Sequence, residues 1–494
     1  MSGPVWIAAA AILLHSVCLT EYGVFRDELY YVACGEHLAW GYVDHPPLVA
    51  LLARGVTGVF GHSLVALRAV PVALSAATIL LAAALARRLG AGAFAQALAA
   101  LAVAIAPHFL GTFHYFSMNA VEVFLWTLGA LLVVRALEGG RTRDWIAFGL
   151  VVGLGLLTKI SMGGLGLGIG VGLLFTRARS VLRTLGPWIA AAIAVLLFAP
   201  HLLWQVEHGW PTREFVANAQ RFKIVEFSTL GFVQDVALRM HPLTLPIWLA
   251  GLWASFRGPP RQRVLGWAFV VVFAVFLVQR SKPYYVTPAF PMMFAAGAAA
   301  IERVLRGRFL RGALVLVLAA TGLLLAPFAV PVLPVERFIA YQHALGLEPG
   351  SEERHEMGEL PQFYADMFGW EELARAVSAV YLALPEEERV AARVWAGNYG
   401  EAGAIDLLRA QIPLPPVLCT HNNYWYWGPG VEGGTLIVIG GEREDHLDSF
   451  EEVELAGRSD PRYAMPYERD LALWVCRRWT VRLDDVWAAE KNFN

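Results

Sequence analysis

The sequence predicts a polytopic α-helical membrane protein that ends in a small soluble α/β domain. Of its 494 residues 57% are hydrophobic and 16% are charged, whereas a soluble protein carries roughly a quarter of charged residues. Long apolar segments recur over residues 1–334, and acidic runs such as Glu386-Glu387-Glu388 begin only after residue 335. The formal net charge of -2 gives no basic excess for a nucleic-acid partner. Four cysteines are too few for a disulfide scaffold.

About eleven apolar segments are candidates for membrane spans, since a bilayer core of roughly 30 Å needs about 20 apolar residues in a helix. The first lacks a basic flank and a cleavage site, which indicates a retained span and not a signal peptide. The segments are 5–20, 64–86, 92–110, 117–134, 145–158, 161–175, 186–205, 242–256, 264–279, 284–301 and 311–330.

Arginine clusters occupy every second loop, as in 87–88, 135–143, 177–183, 257–263 and 303–311. Because cytoplasmic loops retain positive charge, we expect a cytoplasmic N-terminus and an integral location in the inner, cytoplasmic membrane. An odd number of spans then puts everything after Pro331 on the periplasmic or extracellular face.

Residues 335–494 are expected to form this extracytoplasmic domain. Helix-like segments at 371–384 and 400–410 alternate with strand-like segments at 392–397, 435–439 and 471–476, which favours an α/β domain. In an oxidising compartment Cys419 and Cys476 could pair. The aromatic run 424–427 is either core or a surface that stacks on a sugar ring.

The first outer loop, residues 21–63, is the richest in polar side chains. Amphipathic stretches at 27–39 and 47–60 predict two short helices at the membrane interface, separated by the Asp44-His45-Pro46-Pro47 turn. Asp27 has two interpretations that spacing alone does not separate. It either caps the following helix or acts as a general base on a substrate hydroxyl.

Three cations oppose the positive-inside pattern at the outer ends of apolar segments. They are Lys159, Arg280 and Lys282, and the last precedes Tyr284 and Tyr285. Cations beside membrane segments snorkel to the interface or bind an anion. Three converging on one face favour a phosphate site, in which the two tyrosines are interfacial anchors or lining residues.

Glu122 lies one turn inside an apolar segment that follows His114. An intramembrane carboxylate is a candidate functional residue, although it could equally pair with an arginine such as Arg68. A metal held by His45, His114 and Glu122 is conceivable, but their spacing matches no metal signature. The loop 206–241, with Arg221, Lys223 and Glu226, either covers the site or is an ordinary amphipathic connection.

These motifs carry a family resemblance. Residues 25–31 (Phe-Arg-Asp-Glu-Leu-Tyr-Tyr) and 44–48 (Asp-His-Pro-Pro-Leu) resemble the first outer loop of glycosyltransferase family 39, which includes protein O-mannosyltransferases and, more distantly, lipid A aminoarabinose transferases. Leu-Thr-Lys at 157–159 and Lys-Pro-Tyr-Tyr at 282–285 are similar in order and placement. The resemblance extends over residues 1 to about 330. The segments 398–403 and 421–425 also look like those of bacterial members, without an assigned role.

The resemblance implies a GT-C fold and an inverting transfer of a sugar from a polyprenyl phosphate carrier to an acceptor hydroxyl on the outer face. It matches Asp27 to the catalytic carboxylate. The positions matched to the donor phosphate are Lys159, Arg280 and Lys282, and we expect His45, Tyr284 and Tyr285 to belong to the same phosphate site. Those assigned to the acceptor or sugar pocket are Arg26, Glu28, Asp44, His114 and Glu122. Aminoarabinose transferases have a lysine where this chain has His45, which weakens a lipid A assignment.

Simple chemistry is compatible with this inference. A phosphate leaving group needs electrostatic stabilisation more than a general acid, so cations and one carboxylate are sufficient, and no cofactor, metal or nucleotide site is required. The partners expected are a lipid-linked sugar, the membrane, and a protein, lipid or glycan acceptor. Two alternatives stay open: a polytopic transporter or lipid flippase with an external accessory domain, and a noncatalytic membrane scaffold that presents the C-terminal domain.

Overall fold

The computed structural model describes residues 2–225, 227–351, 353–430 and 434–494. Its first two thirds are helical. The helices of this part are α1 (Gly3–Val17), α2 (Arg26–Glu36), α3 (Leu48–Phe60), α4 (Leu64–Arg88), α5 (Ala93–Ile105), α6 (Pro107–Thr112), α7 (Met118–Gly139), α8 (Thr142–Leu156), α9 (Gly163–Leu174), α10 (Gly186–Glu207), α11 (Pro211–Asn218), α12 (Thr229–Arg239), α13 (Leu245–Arg257), α14 (Pro260–Val278), α15 (Phe290–Val304) and α16 (Arg308–Leu325). Shorter 3₁₀ segments occur at Ile160–Met162, Arg177–Arg183, Pro242–Thr244, Pro283–Ala289 and Ala326–Phe328, and Ala219–Lys223 is a π-helical turn.

Each predicted apolar segment overlaps at least one of these helices. Within the described residues six helices are long and apolar enough to cross a membrane: Leu64–Arg88, Met118–Gly139, Gly186–Glu207, Pro260–Val278, Pro283–Val304 and Arg308–Phe328. A seventh span arises if the pair Ile160–Leu174 and Arg177–Arg183, bent by 106°, is counted as one. The chain is therefore a multi-pass membrane protein, and the total of eleven spans stays a prediction.

Helix packing in this part depends on small residues. A Cβ added at Gly168 of α9 would lie 2.7 Å from Cα of Ala268, and one at Gly172 would lie 2.8 Å from the carbonyl oxygen of Val264. Both neighbours belong to α14. Glycine at these positions lets the two backbones touch, as close helix contacts in lipid require.

One predicted segment, 92–110, is broken in the structure. Ala106 is extended, with φ -64° and ψ 118°, between α5 and α6. The break follows from Pro107, because a proline disfavours the helical conformation of the residue before it. α6 then lies beside the C-terminal part, since a Cβ added at Gly111 would lie 3.7 Å from Cζ of Phe363.

The C-terminal part surrounds a five-stranded sheet. Its strands are β1 (Arg393–Ala396), β2 (Val417–Cys419), β3 (Leu436–Ile439), β4 (Phe450–Ser459) and β5 (Leu471–Trp479), in the order β2-β1-β3-β5-β4. Its helices are α17 (Val335–Ala344), α18 (Gln362–Ala365), α19 (Trp370–Ala383), α20 (Glu386–Ala391), α21 (Tyr399–Leu408), α22 (Arg443–Leu447) and α23 (Leu483–Ala489). Two further 3₁₀ segments are Asn422–Trp427 and Pro466–Glu468. β1 pairs in parallel with β2 and β3, whereas β5 is antiparallel to β3 and β4.

The sequence predicted β1, β3, β5, α19 and α21, but not β2 and β4. β2 has only three residues, and the outer strand β4 has a charged, mostly exposed pattern, so neither shows a buried apolar run. Cys419 and Cys476 are both free. Two strands separate β2 from β5, which corresponds to about 14 Å, too far for a disulfide.

The first polar loop connects the two parts. The predicted interfacial helices at 27–39 and 47–60 are present as α2 and α3. Buried side chains of α2 and α3, such as Tyr30 and Val49, share one apolar cluster with the sheet residues Val394 and Ile437. The backbone N–H of Val43 also donates to the Asn423 side chain over 2.7 Å. This loop is therefore fixed between the membrane helices and the sheet.

Candidate functional site

A cavity of about 1020 Å³ lies where the polar loops of the membrane part meet the C-terminal part. The start of α2 forms one wall, and segments 159–164 and 279–285 form others. Residues of α11, of α12 and of the π-helical turn after α11, such as Thr212, Lys223 and Asp235, also line it, as one interpretation of the loop 206–241 proposed. Apolar side chains from spanning helices, including Leu167, Val275 and Phe276, extend the lining towards the membrane region.

Asp27 is on the cavity wall, in the first turn of α2. It does not act as the helix N-cap, because Phe25 occupies that position and Glu28 accepts the N–H of Phe25 over 2.9 Å. The Oδ1 atom of Asp27 accepts a hydrogen bond of 2.9 Å from the hydroxyl of Tyr399. Burial raises the pKa of Asp27 above its usual value, although Arg26 and the Tyr399 hydrogen bond oppose the change. Of the two predicted interpretations, the helix cap is wrong and the base remains.

Arg26 lines the same wall but is held by protein partners. Its guanidinium lies 4.6 Å from the ring centre of Tyr399, donates to the Tyr467 hydroxyl over 2.7 Å, and lies 4.0 Å from Oδ1 of Asp366. Burial raises the pKa of Asp366 to about 6 against the opposing effect of Arg26. Arg26 thus supplies a buried positive charge next to Asp27.

Lys159 is buried and also lines the cavity. Its ammonium donates to Oδ1 of Asn119 over 2.7 Å and lies 3.4 Å from Oε2 of Glu122. The same ammonium lies 4.8 Å and 4.5 Å from the ring centres of Tyr284 and Tyr285. The predicted cation and both tyrosines are therefore one cluster.

Glu122 belongs to this cluster as the partner of Lys159 and not of Arg68, so the alternative pairing with Arg68 is wrong. It accepts a short hydrogen bond from the Ser161 hydroxyl. Glu122 lies behind the lysine and is absent from the residues that line the cavity. Its placement favours orientation of Lys159 over contact with an acceptor.

A second cationic cluster contains Lys223 and Lys282, which both reach Glu353. The ammonium of Lys282 lies 2.8 Å from Oε1 of Glu353, and that of Lys223 lies 3.6 Å from Oε2. Burial raises the pKa of Glu353, but the two lysines outweigh it and bring that pKa well below its usual range. Arg280 lines the cavity in a left-handed conformation with φ 50°. Glu226 of the same neighbourhood lies outside the described residues.

Asp44 and His45 differ in their access to the cavity. Asp44 lines it and accepts a hydrogen bond of 2.9 Å from the Tyr30 hydroxyl. His45 is 1% exposed, bonds through Nδ1 to the carbonyl of Pro46 over 2.8 Å, and stacks on Tyr42. The assignment of His45 to the phosphate is therefore corrected: the ring packs behind the loop because the following prolines turn the chain.

Glu28 and His114 also point away from the cavity lining. Glu28 forms a fully buried ion pair of 2.8 Å with Arg68. His114 stacks against His15, with ring centres 5.7 Å apart. The assignments of Glu28 and His114 to the acceptor or sugar pocket are corrected, because both side chains form structural contacts within the protein. Among the described residues no group of three or more His, Cys, Asp or Glu could hold a metal ion.

Sequence reasoning did not assign a role to Tyr399, Glu353 or Asp366, which all line the cavity. They belong to the C-terminal part, and no spacing in the sequence relates them to Asp27. The Asn398–Gly403 segment was the available signal, since it was noted as a motif without a role. For Lys223 the sequence predicts no individual role: it is part of the loop 206–241, which in one interpretation covers the site.

Comparison with known proteins shows what this arrangement is similar to. Residues 44–204 match the family profile of dolichyl-phosphate-mannose-protein mannosyltransferase. This match confirms the resemblance for that range, which is less than half of the chain. No curated protein matches the chain in sequence.

Solved structures agree over almost the whole chain. ArnT from Cupriavidus metallidurans in the apo state superposes with a TM-score of 0.63, 15% identity, and coverage of 95% of this chain and 97% of that one. ArnT bound to undecaprenyl phosphate gives a TM-score of 0.60 with the same identity and coverage. The apo oligosaccharyltransferase of Archaeoglobus fulgidus gives 0.50 at 13% identity, and this chain covers 63% of its length. These similarities confirm the predicted GT-C fold with a C-terminal sheet domain.

Proposed function

We propose that this chain is an inverting glycosyltransferase that moves a sugar from a polyprenyl phosphate carrier to an acceptor hydroxyl. The observation that carries the proposal is the composition of one cavity. Asp27 lies on one wall, while Lys159, Arg280 and Lys282 lie on others. A base and several cations thus line one space that is large enough for a sugar, since ligand pockets typically measure about 300–1,000 Å³. The ligand-bound ArnT structure, with undecaprenyl phosphate, supports the choice of carrier.

The proposed reaction is a single displacement at the anomeric carbon. The acceptor oxygen forms a bond to that carbon while the bond from the carbon to the phosphate oxygen breaks, and Asp27 takes the hydroxyl proton. A carboxylate with a raised pKa is a better general base near neutral pH than an ordinary aspartate. The phosphate leaves with an additional negative charge, which the nearby cations stabilise without a general acid.

Lys159 is the cation that we assign most directly to the phosphate. It is held by Asn119, Glu122 and the two tyrosine rings, so its position is set before a substrate binds. A preorganised charge loses little energy to reorganisation during the reaction. Apolar residues of the lining, such as Phe276 and Val275, would accommodate the prenyl chain next to the membrane.

The proposed orientation puts this cavity on the extracytoplasmic face of the inner membrane. The arginine-rich loops are expected on the cytoplasmic side, and the sheet-bearing residues 335–494 form the extracytoplasmic domain. The acceptor, which is a protein, lipid or glycan, would approach from that side. No cofactor takes part in the proposed step.

The test measures release of free polyprenyl phosphate from a panel of synthetic polyprenyl phosphate sugars, with crude envelope acceptor. Wild type is compared with Asp27→Asn and with Glu21→Gln, a control at an exposed carboxylate of the same loop. We expect one donor to be consumed, a loss of at least about 100-fold in Asp27→Asn, and unchanged turnover in the control.

The second part of the test measures the same release with purified protein in detergent, without an ion gradient and with a chelator. Turnover there supports the transferase and agrees with the absence of a metal from the proposed step. No turnover without a transmembrane gradient would favour the transporter. Full activity in a folded Asp27→Asn variant would contradict the role of Asp27.

A further inference from the structure

A tyrosine of the C-terminal part contacts the proposed base directly. Tyr399 is the first residue of α21 and lines the cavity. Its hydroxyl donates to Oδ1 of Asp27 over 2.9 Å, although 372 positions separate the two residues in the chain. The Tyr399 ring lies under the guanidinium of Arg26, 4.6 Å from ring centre to Cζ. The ring is therefore held on one side by a cation and at its end by the carboxylate.

The backbone of Tyr399 is fixed by the preceding residue. Oδ1 of Asn398 caps α21 by accepting the N–H groups of Gly400 and Glu401, over 2.8 Å and 3.2 Å. Nδ2 of Asn398 donates to both Glu401 and Glu468, each over 2.9 Å. An asparagine with three such partners has one orientation, and it sets where α21 begins.

Glu401 and Glu468 form a buried carboxyl pair around Asn398. They are 4% and 5% exposed. Glu401 also accepts the N–H of Gly397 over 2.7 Å, so it holds the chain on both sides of Asn398. Burial raises the pKa of both carboxyls, as expected for two acids that share one apolar site.

The helix axes of α21 and α2 are brought together by glycines. A Cβ added at Gly403 would lie 2.8 Å from Cβ of Leu29, and one at Gly400 would lie 2.9 Å from Cγ of Arg26. These values leave no room for a side chain without displacement of α2. The close approach determines that the Tyr399 hydroxyl reaches Asp27.

We propose that Tyr399 is a positioning residue for Asp27, so that the active site is completed by the C-terminal domain. The inference rests on the proposed function of Asp27 as the base. The Tyr399 hydroxyl fixes the rotamer of the carboxylate through Oδ1, and Oδ2 then takes the proton of the acceptor hydroxyl. A donor to the ionised form also favours the basic state of Asp27.

The test compares wild type with Tyr399→Phe, which keeps the ring below Arg26 and removes only the hydroxyl. The matched control is Tyr424→Phe: Tyr424 packs in the apolar core and not in the cavity lining, and the change removes a buried hydrogen bond of 2.9 Å to Asp406. We expect kcat to fall about 10- to 100-fold in Tyr399→Phe, which corresponds to one hydrogen bond to a charged group. The KM for the donor and the midpoint of thermal unfolding should stay close to wild type, and the control should keep its kcat.

A pH titration separates this inference from the proposed function. The acidic limb of kcat/KM should move to higher pH in Tyr399→Phe, because the ionised form of Asp27 loses a donor. The carboxyl stretch of Asp27, identified in infrared difference spectra by its loss in Asp27→Asn, should titrate at the same higher pH. An unshifted band in Tyr399→Phe overturns the inference whether or not sugar transfer is observed. A shifted band without any effect of Asp27→Asn on turnover supports the coupling and overturns the proposed function.

Discussion

The buried ion pair between Glu28 and Arg68 should stabilise the loop that carries Asp27. Both side chains are 0% exposed. Glu28 accepts from Nε and Nη2 of Arg68 over 3.0 Å and 2.8 Å, and also from the backbone N–H groups of Phe25 and Phe116 over 2.9 Å and 2.8 Å. With a longer contact of 3.3 Å from Nε of Arg68 to the second oxygen, five hydrogen bonds join α2, α4 and the segment before α7 at one carboxylate.

Removal of one charge should be far more costly than removal of both. In Arg68→Met the Glu28 carboxylate keeps two N–H donors but loses its cation, and in Glu28→Gln the Arg68 guanidinium keeps the carbonyls of Leu19 and Gly23. An uncompensated buried charge destabilises a protein by about 3–5 kcal/mol. The double variant carries neither charge, so we expect its loss to be smaller than the sum of the single losses by at least about 2 kcal/mol.

The assay is the free energy of unfolding from titration of mixed micelles with SDS, followed by tryptophan fluorescence, for wild type, both single variants and the double variant. Glu21→Gln, an exposed change in the same loop, should stay within about 0.5 kcal/mol of wild type. Additive losses in the double variant, or a Glu28→Gln variant as stable as wild type, would refute the reasoning. Additive losses would mean that the two side chains act independently, and an unchanged Glu28→Gln variant would mean that the surrounding packing holds this loop without the ion pair.

Three further outcomes are expected. Lys159→Gln should raise the KM for the donor about 10-fold or more, whereas Lys491→Gln, at an exposed lysine, should leave it unchanged in steady-state assays. Glu353→Gln should lower the KM for the donor several-fold in the same assay, because two lysines lose a competing carboxylate, and an unchanged KM would contradict that competition. Maleimide labelling of unfolded protein without reductant should modify both Cys419 and Cys476, and protection of the two thiols would contradict the strand order.

The fold could be predicted further than the site. Apolar runs and arginine clusters reflect whether a segment lies in lipid or in water. Such a pattern is visible within a short stretch of the sequence. The helices therefore agree with the predicted segments, except where Pro107 divides one of them. β2 and β4 were missed because three residues and a charged edge strand give no periodic signal.

The site depends on contacts between distant segments, and sequence spacing does not report them. Lys159 and Lys282 were predicted because cations beside apolar segments are costly, and Asp27 from its position in the first outer loop and the family resemblance; all three line the cavity. Glu28 and His114, which were assigned to the acceptor or sugar pocket as polar residues of the outer loops, are used in structural contacts. A cost in free energy identifies residues that need a partner, but it does not distinguish a substrate from another side chain.

Charge balance explains how the cavity can hold several cations without a substrate. Lys159 has Glu122 within 3.4 Å, and Lys282 has Glu353 within 2.8 Å. The two carboxylates differ in position, because Glu122 lies behind its lysine while Glu353 lines the cavity itself. A bound phosphate would therefore contact Lys159 while that lysine keeps its contact with Glu122. The same phosphate would compete with Glu353 for Lys282. Lys159 would then contact the phosphate in both the donor and the product. Competition from Glu353 for Lys282 would weaken binding of the donor but would favour release of the more highly charged product.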